Sequence, residues 1–392
     1  QNLMMAMPLS EEQDVFVKTS PDTSGSRYKK ALFRQYTDAS FTTLKSRSSN
    51  EQHLGLLGPV FRAEVGDTIK VVFKNNAVRP YSIHPHGVFY DKANEGAPTN
   101  DGTSEKQKRD DAIAPGGSYT YTWEVRETAG PGPSDPSSIV WPYHSHVSSI
   151  EDSNSGLIGA IIITAKGQAN ADATPKNVDR EFINVFTVMD ENASWYLQEN
   201  IANTLGENHR PQQEVFEEGN LMHMINGYVF ANIPKLTMKN GDRVRWYLIA
   251  LGTEVDLHTP HWHGHTGLVE GRRVDTVELM PASMKTLDMT ADTTTSVSNV
   301  ELIMPPITAT AKELYCSAPA PIPSAAGNSA KITVNEVIST GRIRCGQAVN
   351  SAVSTSIPSA QKRLVKSTSN IEFFDTRPIK STRPIIELIL SV

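Results

Sequence analysis

The residues best suited to chemistry in this sequence are histidines, and most of them lie in three short segments. Random placement of 11 histidines in 392 residues would give about 0.3 His-x-His pairs, yet the sequence contains four. Alternate residues of a strand point to the same face, so each pair directs two imidazoles one way. Because imidazole suits copper, zinc, iron and nickel, the pattern predicts a metal cluster, with a run of surface histidines as the alternative. The three segments are His84-Pro-His86-Gly, His144-Ser-His146 and His258-Thr-Pro-His261-Trp-His263-Gly-His265.

Composition limits the function before any further motif is considered. A chain of this length has room for two or three domains, and a net charge of −6 with a pI near 6.0 gives no basic surface for nucleic acid. The longest apolar run, residues 157–164, is too short to span a membrane and predicts a buried strand. Residues 1–10 show no signal-peptide pattern, whereas the sequon at Asn192 is compatible with a secreted, extracellular protein. Cys316 and Cys345 could pair, but two cysteines do not fix a redox compartment.

The pattern of strands and turns predicts an all-β protein with two domains of one architecture. We expect a polar lead-in at residues 1–27, a first domain at 28–165 and a second, incomplete domain at 178–292. Each domain places a strand, a Gly-Asp turn and another strand ahead of a histidine cluster, which indicates a repeated unit. Residues 293–392 are rich in Ser, Thr, Ala and Pro and are predicted to be an irregular tail. The predicted strands cover residues 60–65, 69–73, 119–125, 156–163, 182–189, 235–240 and 243–248.

Longer phrases of the sequence resemble those of ceruloplasmin/hephaestin-type multicopper oxidases, over residues 28–290. The resemblance implies cupredoxin-like Greek-key β-sandwich domains. It also implies a blue type 1 copper that takes up electrons singly and a trinuclear copper cluster that reduces dioxygen to water. The phrases include Phe33-Arg-Gln-Tyr-Thr-Asp38, His53-Leu-Gly-Leu-Leu-Gly-Pro59, Arg79-Pro-Tyr-Ser-Ile-His84, Ser155-Gly-Leu-Ile-Gly159 and Met222-His-Met-Ile-Asn-Gly227.

The same resemblance implies copper-ligand roles for seven histidines. His84 and His261 match the type 2 ligands, and His258 matches a type 1 ligand. His265 falls outside the family's ligand set, and we expect it to support the site or the fold. The type 3 ligands implied are His86, His144, His146 and His263.

The resemblance also implies an iron-binding position just before the Asn-Gly turn. Glu218 and His223 match an acidic residue and a histidine that lie beside the type 1 copper in ferroxidases of the family. Oxygen and imidazole ligands bind Fe(II), so Fe(II) is the favoured reducing substrate and dioxygen the oxidant. A solvated acidic loop at residues 214–218 and phenolic substrates are the alternatives. In two-domain relatives the clusters meet between subunits of a trimer, which makes a homotrimer one of two arrangements for this chain.

The sequence departs from the family after Ala291, where a His-Cys-His motif is expected. Neither Cys316 nor Cys345 has a neighbouring histidine, and a blue copper site needs a thiolate with two imidazoles. The type 1 position is therefore incomplete, and six of the eight trinuclear histidines remain. Three functions stay open: a ferroxidase-like copper oxidase, a truncated and inactive copper-binding protein, and an interaction module like the A-domains of clotting factors V and VIII. A frameshift, retained intron or alternative exon would explain the sharp break.

Overall fold

Short β-strands dominate the part of the chain that the structure describes. The computed structural model describes residues 11–230, 232–234, 236–253, 256–262, 264–292 and 385–391. Its helices are α1 (Glu11–Val17), α2 (Ser149–Asn154), α3 (Leu197–Thr204) and α4 (Gln213–Gly219), with 3₁₀ segments at Ser49–Leu54, Glu105–Lys108, Glu127–Ala129 and Glu191–Ala193. Its strands are β1 (Thr19–Ser20), β2 (Thr23–Ser24), β3 (Arg34–Gln35), β4 (Phe61–Glu64), β5 (Thr68–Lys74), β6 (His84–Pro85), β7 (Ser118–Glu124), β8 (Ser138–His144), β9 (Ile158–Thr164), β10 (Arg180–Asp190), β11 (Leu221–Ile225), β12 (Arg243–Ala250), β13 (Gly267–Val269), β14 (Arg272–Val274), β15 (Ser283–Thr290) and β16 (Ile385–Ser391).

Two four-stranded sheets form the first sandwich, with strand orders β4-β9-β8-β6 and β3-β16-β5-β7. Strand β5 alternates half-buried and buried residues, as expected for a strand with one face on a core. The buried side chains of both sheets form one cluster, in which the Phe61 and Tyr143 rings stack with centroids 4.2 Å apart. This core fixes β8, the strand that ends at His144.

One six-stranded sheet forms the second sandwich region, with the strand order β11-β10-β12-β15-β13-β14. Its central strand β12 pairs in parallel with β10 and antiparallel with β15, and seven of its eight residues are buried. The core of this region includes Phe182, Trp246, Trp262 and Leu287. The segment with His258 and His261 runs between β12 and β13.

The first sandwich and the second sandwich region share a third core and a buried ion pair. Apolar residues of β8 and β9 pack with apolar residues of β10 and β12 in this core. Beside them, Arg62 Nη1 and Glu181 Oε1 are 2.7 Å apart, with 2% and 0% of their side chains exposed. The Tyr247 hydroxyl donates to the same Glu181 oxygen at 2.8 Å. Removing either partner would leave a buried charge without the other, which is costly, so this pair joins β4 of the first sandwich to β10 of the second region.

The prediction of an all-β protein is confirmed, since strands carry all three cores and the four α-helices have six to eight residues. One predicted strand is wrong: residues 236–240 are irregular, although Leu236 and Met238 are buried and Thr237 and Lys239 exposed. Strand β16 was not predicted, and it lies within the stretch that was expected to be an irregular tail. The other residues of that stretch, 293–384 and 392, lie outside the described residues. Within the lead-in, Phe16 of α1 is buried in the shared core. No helix among the described residues is long and apolar enough to cross a membrane.

Candidate metal centre

Strand pairing brings the first two histidine segments side by side. β6 and β8 run antiparallel, and His84 lies directly opposite His144. The backbone N–H of His86 donates to the carbonyl of Pro142 at 3.0 Å and extends the contact beyond β6. Because alternate residues share a face, all four histidines of the two segments come to one end of the sheet.

The four imidazoles of these segments form one cluster. The ring centroids of His84 and His146 are 5.0 Å apart, and those of His86 and His144 are 5.3 Å apart. The Nε2 atoms of His86 and His144 approach within 3.2 Å. Four imidazole rings therefore converge from two strand segments, as the sequence predicted.

Backbone carbonyls fix the tautomers of two of these rings. His84 Nδ1 is 2.7 Å from the carbonyl oxygen of Glu95, and His144 Nδ1 is 2.8 Å from that of Ser145. A carbonyl can only accept, so both Nδ1 atoms carry the proton and both Nε2 atoms keep a lone pair. Metal-ligating histidines commonly make this hydrogen bond through the nitrogen that does not ligate.

Burial keeps His84, His86 and His144 neutral. It lowers the pKa of His86 to about 4 and that of His144 to about 3, and it also lowers the pKa of His84. Neighbouring histidines add to the effect, because two like charges repel at this distance. Neutral imidazole is the form that binds a metal, so the cluster presents free lone pairs at neutral pH.

Glycine is required directly after the first histidine pair. Gly87 has φ +76°, and a Cβ atom at this position would lie 2.2 Å from the Trp141 indole. A residue with a side chain would be strained in this backbone region and would also clash with Trp141. The His-Pro-His-Gly phrase thus places the His86 backbone close against β8.

The third segment has different surroundings. His258 is 4% exposed, its backbone pairs with Leu279, and its Nε2 has no hydrogen-bond partner among the described residues. Burial lowers the pKa of His258 to about 4, with a smaller effect from His223. A buried nitrogen with a free lone pair fits a metal ligand. His261 pairs with Thr276 through its backbone and has its Nε2 3.3 Å from Asp275 Oδ1.

Two further histidines of this segment differ in what can be said of them. His263 lies outside the described residues. His265 Nδ1 is 3.2 Å from Asp292 Oδ1, which agrees with a supporting position rather than one in the cluster. The meeting of all three segments at one metal cluster stays a prediction.

His223 is an electrostatic neighbour of His258, and Glu218 is an electrostatic neighbour of His223. Glu218 is exposed at the end of α4, and His223 is half-buried in β11. Burial lowers the pKa of His223, and the charge of Glu218 opposes that change. Since His223 in turn lowers the pKa of His258, the three groups form a short series of electrostatic neighbours. This arrangement can present one carboxylate and one imidazole to a cation beside the buried His258.

The donor set fits an imidazole-binding metal, but only in part. Within the described residues, no group of three or more His, Cys, Asp or Glu side chains is placed to hold one ion. The first sandwich therefore supplies histidine pairs that need further ligands, and the sequence places the remaining candidates in the third segment. Sequence reasoning had no signal for the Glu95 carbonyl as the partner of His84, because backbone acceptors leave no trace in residue type.

Comparison with known proteins agrees with this geometry. The family model described as multicopper oxidase matches residues 35–168. Ferroxidase HEPHL1 of Homo sapiens is 42% identical over 297 residues, covering 74% of this chain and 25% of the relative. Hephaestin of Homo sapiens is 40% identical over 295 residues, with 74% and 25% covered. Ceruloplasmin of Rattus norvegicus is 42% identical over 284 residues, with 72% and 26% covered.

The chain belongs to the multicopper oxidase family. Within that family it is of the ceruloplasmin/hephaestin type, as the sequence phrases predicted. Copper is the cofactor of this family, and its all-β fold is that of cupredoxin-like sandwiches. The chain spans about a quarter of the length of the curated relatives it matches.

Proposed function

We propose that the protein is a copper-dependent oxidoreductase of the ferroxidase type. The reaction of this type couples the one-electron oxidation of Fe(II) to the reduction of dioxygen, so that four Fe(II), one dioxygen and four protons give four Fe(III) and two water molecules. It requires a cysteine thiolate beside histidines as the electron port, which this sequence does not supply, so we expect the chain by itself to bind copper without completing the reaction. The observation that carries this proposal is the convergence of four imidazoles from β6, β8 and the residues that follow them. The similarity to ferroxidase HEPHL1 supports the choice of substrate.

The histidines would divide among three kinds of copper position. His84 and His261 would hold the type 2 copper, and His258 would be the type 1 histidine. Copper, when bound, supplies one-electron redox chemistry and a place for dioxygen. Burial keeps His84, His86, His144 and His258 neutral, and backbone carbonyls fix the free nitrogen of His84 and of His144. The type 3 ligands would be His86, His144, His146 and His263.

Fe(II) would bind at Glu218 and His223. The exposed carboxylate of Glu218 can collect a cation from solvent, and the half-buried imidazole of His223 completes a pair of oxygen and nitrogen ligands. His223 lies electrostatically close to His258, where substrate electrons would enter. Phenols are the alternative reducing substrate.

A catalytically inactive copper-binding protein is the second candidate. A thiolate port for electrons requires cysteine beside histidine, and neither cysteine of the chain has such a neighbour. This candidate and the oxidase share the same copper ligands and differ only in whether Fe(II) oxidation follows. Assembly as a homotrimer would let each third segment complete a cluster on another subunit. An extracellular location is supported by the sequon at Asn192.

Copper binding tests the shared part of the proposal. The protein should bind Cu(II), and the double variant His86→Ala plus His144→Ala should bind it at least ~100-fold more weakly, since loss of outer-shell partners alone costs about 10–100-fold. His209→Ala is the matched control, because His209 contacts the Pro21 carbonyl away from the cluster. Affinity is measured by competition with a chelator of known strength. Equal binding by the control and the double variant would contradict the proposal.

Iron binding tests the substrate. Under anaerobic conditions, Glu218→Ala plus His223→Ala should remove the binding of Fe(II), whereas Glu214→Ala plus His209→Ala should leave it unchanged. Binding is measured by equilibrium dialysis on the copper-loaded protein. Fe(II) binding that survives the first pair of substitutions would show that the acidic loop is merely a solvated surface.

A further inference from the structure

A buried network of two serines and one aspartate links the first two histidine segments. Ser145 lies between His144 and His146, and its hydroxyl donates to Asp152 Oδ2 at 2.6 Å. The same hydroxyl accepts from the backbone N–H of Ser82 at 3.1 Å. Ser82 precedes His84 by two residues, so the contact spans the two segments.

A second hydrogen bond runs in the opposite direction. The backbone N–H of His146 donates to the Ser82 hydroxyl at 3.0 Å, and that hydroxyl donates to the Gly96 carbonyl at 2.6 Å. Each serine hydroxyl thus donates once and accepts once, which satisfies both groups in a place where 0% of either residue is exposed. The two segments are locked by a reciprocal pair of backbone-to-hydroxyl bonds.

Asp152 anchors this lock from α2. Its carboxylate is 1% exposed and also accepts from the backbone N–H groups of Val147 and Ser148, both at 3.1 Å, and from Trp195 Nε1 at 2.9 Å. A buried carboxylate with four donors is a rigid point, because moving it would leave several buried groups unpaired. It therefore holds the loop after β8 in one conformation.

Strand pairing by itself does not reach as far as this network. The ladder between β6 and β8 consists of two residue pairs and ends where His84 faces His144. His146 lies beyond that end, yet its ring centroid is 5.0 Å from that of His84. Its backbone N–H is held by Ser82, so the hydroxyl lock sets the position of His146 relative to His84.

We propose that Ser82, Ser145 and Asp152 are positioning residues that hold the two His-x-His segments in the arrangement that binds copper. This inference rests on the proposed function and deepens it. Loss of groups that orient metal ligands lowers metal affinity by about 10–100-fold. Ser145→Ala should therefore weaken Cu(II) binding at least ~10-fold, although no ligand is removed.

The chain offers a matched control on the same segment. Ser138, at the other end of β8, is also 0% exposed, and its hydroxyl contacts the Tyr247 hydroxyl at 2.6 Å and Arg245 Nη1 at 2.7 Å. Ser138→Ala and Ser145→Ala remove the same atom from equally buried, fully hydrogen-bonded sites. Six residues of extended strand separate Ser138 from His144, or about 20 Å. Any general loss of stability should therefore appear in both variants.

The experiment compares the wild type with these two variants at a temperature where all are folded. Cu(II) affinity is measured by chelator competition, and the number of nitrogen ligands by electron paramagnetic resonance. In the metal-free protein, amide hydrogen exchange is followed at Ser82 and His146. We expect weaker copper binding, fewer nitrogen ligands and faster exchange at both amides in Ser145→Ala only, with Ser138→Ala within about twofold of wild type in affinity.

Asp152→Asn adds a second variant. The side-chain NH₂ group of this variant would face the indole N–H of Trp195, so that two donors would meet. The added substitution Trp195→Phe removes the indole donor and should therefore recover copper affinity in part. Equal copper affinity and equal exchange in Ser145→Ala and Ser138→Ala would overturn this inference alone. A wild-type protein that binds no copper would overturn the proposed function as well.

Discussion

The two sandwich regions share an antiparallel strand pair that begins after a Gly-Asp turn, but they differ in how they end. In the first region, β9 pairs with β4 on one side and with β8 on the other, and β8 carries His144. In the second region, β12 and β15 repeat the antiparallel pair β5 and β7. No further strand follows β15 in the described residues up to Asp292. In the first region, the last two strands therefore have two roles. β8 supplies the metal-ligand candidate His144, and β9 supplies the pairing partner of the early strand β4.

The segment at residues 236–240 has no partner strand among the described residues, and it is irregular. Its residues alternate between buried and exposed, and it stands before a Gly-Asp turn as β4 does. β4 is a strand because its backbone groups pair with β9. Both edges of β12 are already taken by β10 and β15, and no equivalent of β9 is described in the second region. Alternation makes a segment suitable for a sheet, but a neighbouring strand makes it part of one.

The first region differs in another way, because a distant segment completes it. β12 has β10 as its parallel neighbour, whereas β5 has β16 from the end of the chain. β16 lies between β5 and β3, and Leu390 is fully buried in the first core. The two regions thus reach similar sheets with strands from different parts of the sequence.

The largest expected effect concerns the electron port that the second region lacks. Copper-loaded protein should show no intense blue absorption and no uptake of dioxygen with Fe(II), because neither cysteine of the sequence has a neighbouring histidine, as the type 1 motif requires. Visible spectroscopy and an oxygen electrode make the measurement. A chimera whose residues 292–392 are replaced by a relative's segment with the His-Cys-His motif and its flanking strands should gain both properties. Blue colour and Fe(II) oxidation in the unaltered chain would contradict this prediction.

A smaller effect is expected where the two regions meet. Glu181→Ala leaves Arg62 as a buried charge without this partner, and should lower the free energy of unfolding by about 3–5 kcal/mol. Urea unfolding followed by tryptophan fluorescence measures the change. The double variant Arg62→Met plus Glu181→Leu should recover most of it, because apolar residues of similar volume replace a buried pair at little cost. If the double variant were as unstable as Glu181→Ala, packing rather than charge would hold the regions together.

The smallest effect is a pH dependence at the same junction. His53 is 3% exposed, its carbonyl accepts from Asn226 of the second region, and burial lowers its pKa to about 3. Below pH ~6.5 the unfolded chain takes up a proton that folded His53 refuses, so stability falls with falling pH, by up to about 1.4 kcal/mol per unit. His53 therefore does not lower the free energy of unfolding above pH ~6.5, and the loss of stability accumulates as the pH falls from ~6.5 toward 3.

Unfolding free energies measured from pH 7 to pH 4 test this. His53→Gln should show a shallower dependence than the wild type, because the variant has no proton to take up at this position. The difference between the two curves removes the effect of carboxylates common to both proteins. Parallel curves would show that His53 does not titrate differently in the folded and unfolded states.

The sequence by itself determined the local rules of this protein. His-x-His spacing places pairs of imidazoles on one face, and Gly-Asp turns join short alternating strands, because both follow from the period of two along a strand. The family phrases likewise needed no coordinates. Only the tertiary structure decided which strand lies beside which: that His84 faces His144, that residues 236–240 pair with no strand among the described residues, and that β16 enters the first sandwich. It also revealed the lock of Ser82 and Ser145, since hydrogen bonds between segments 63 residues apart leave no periodic signal.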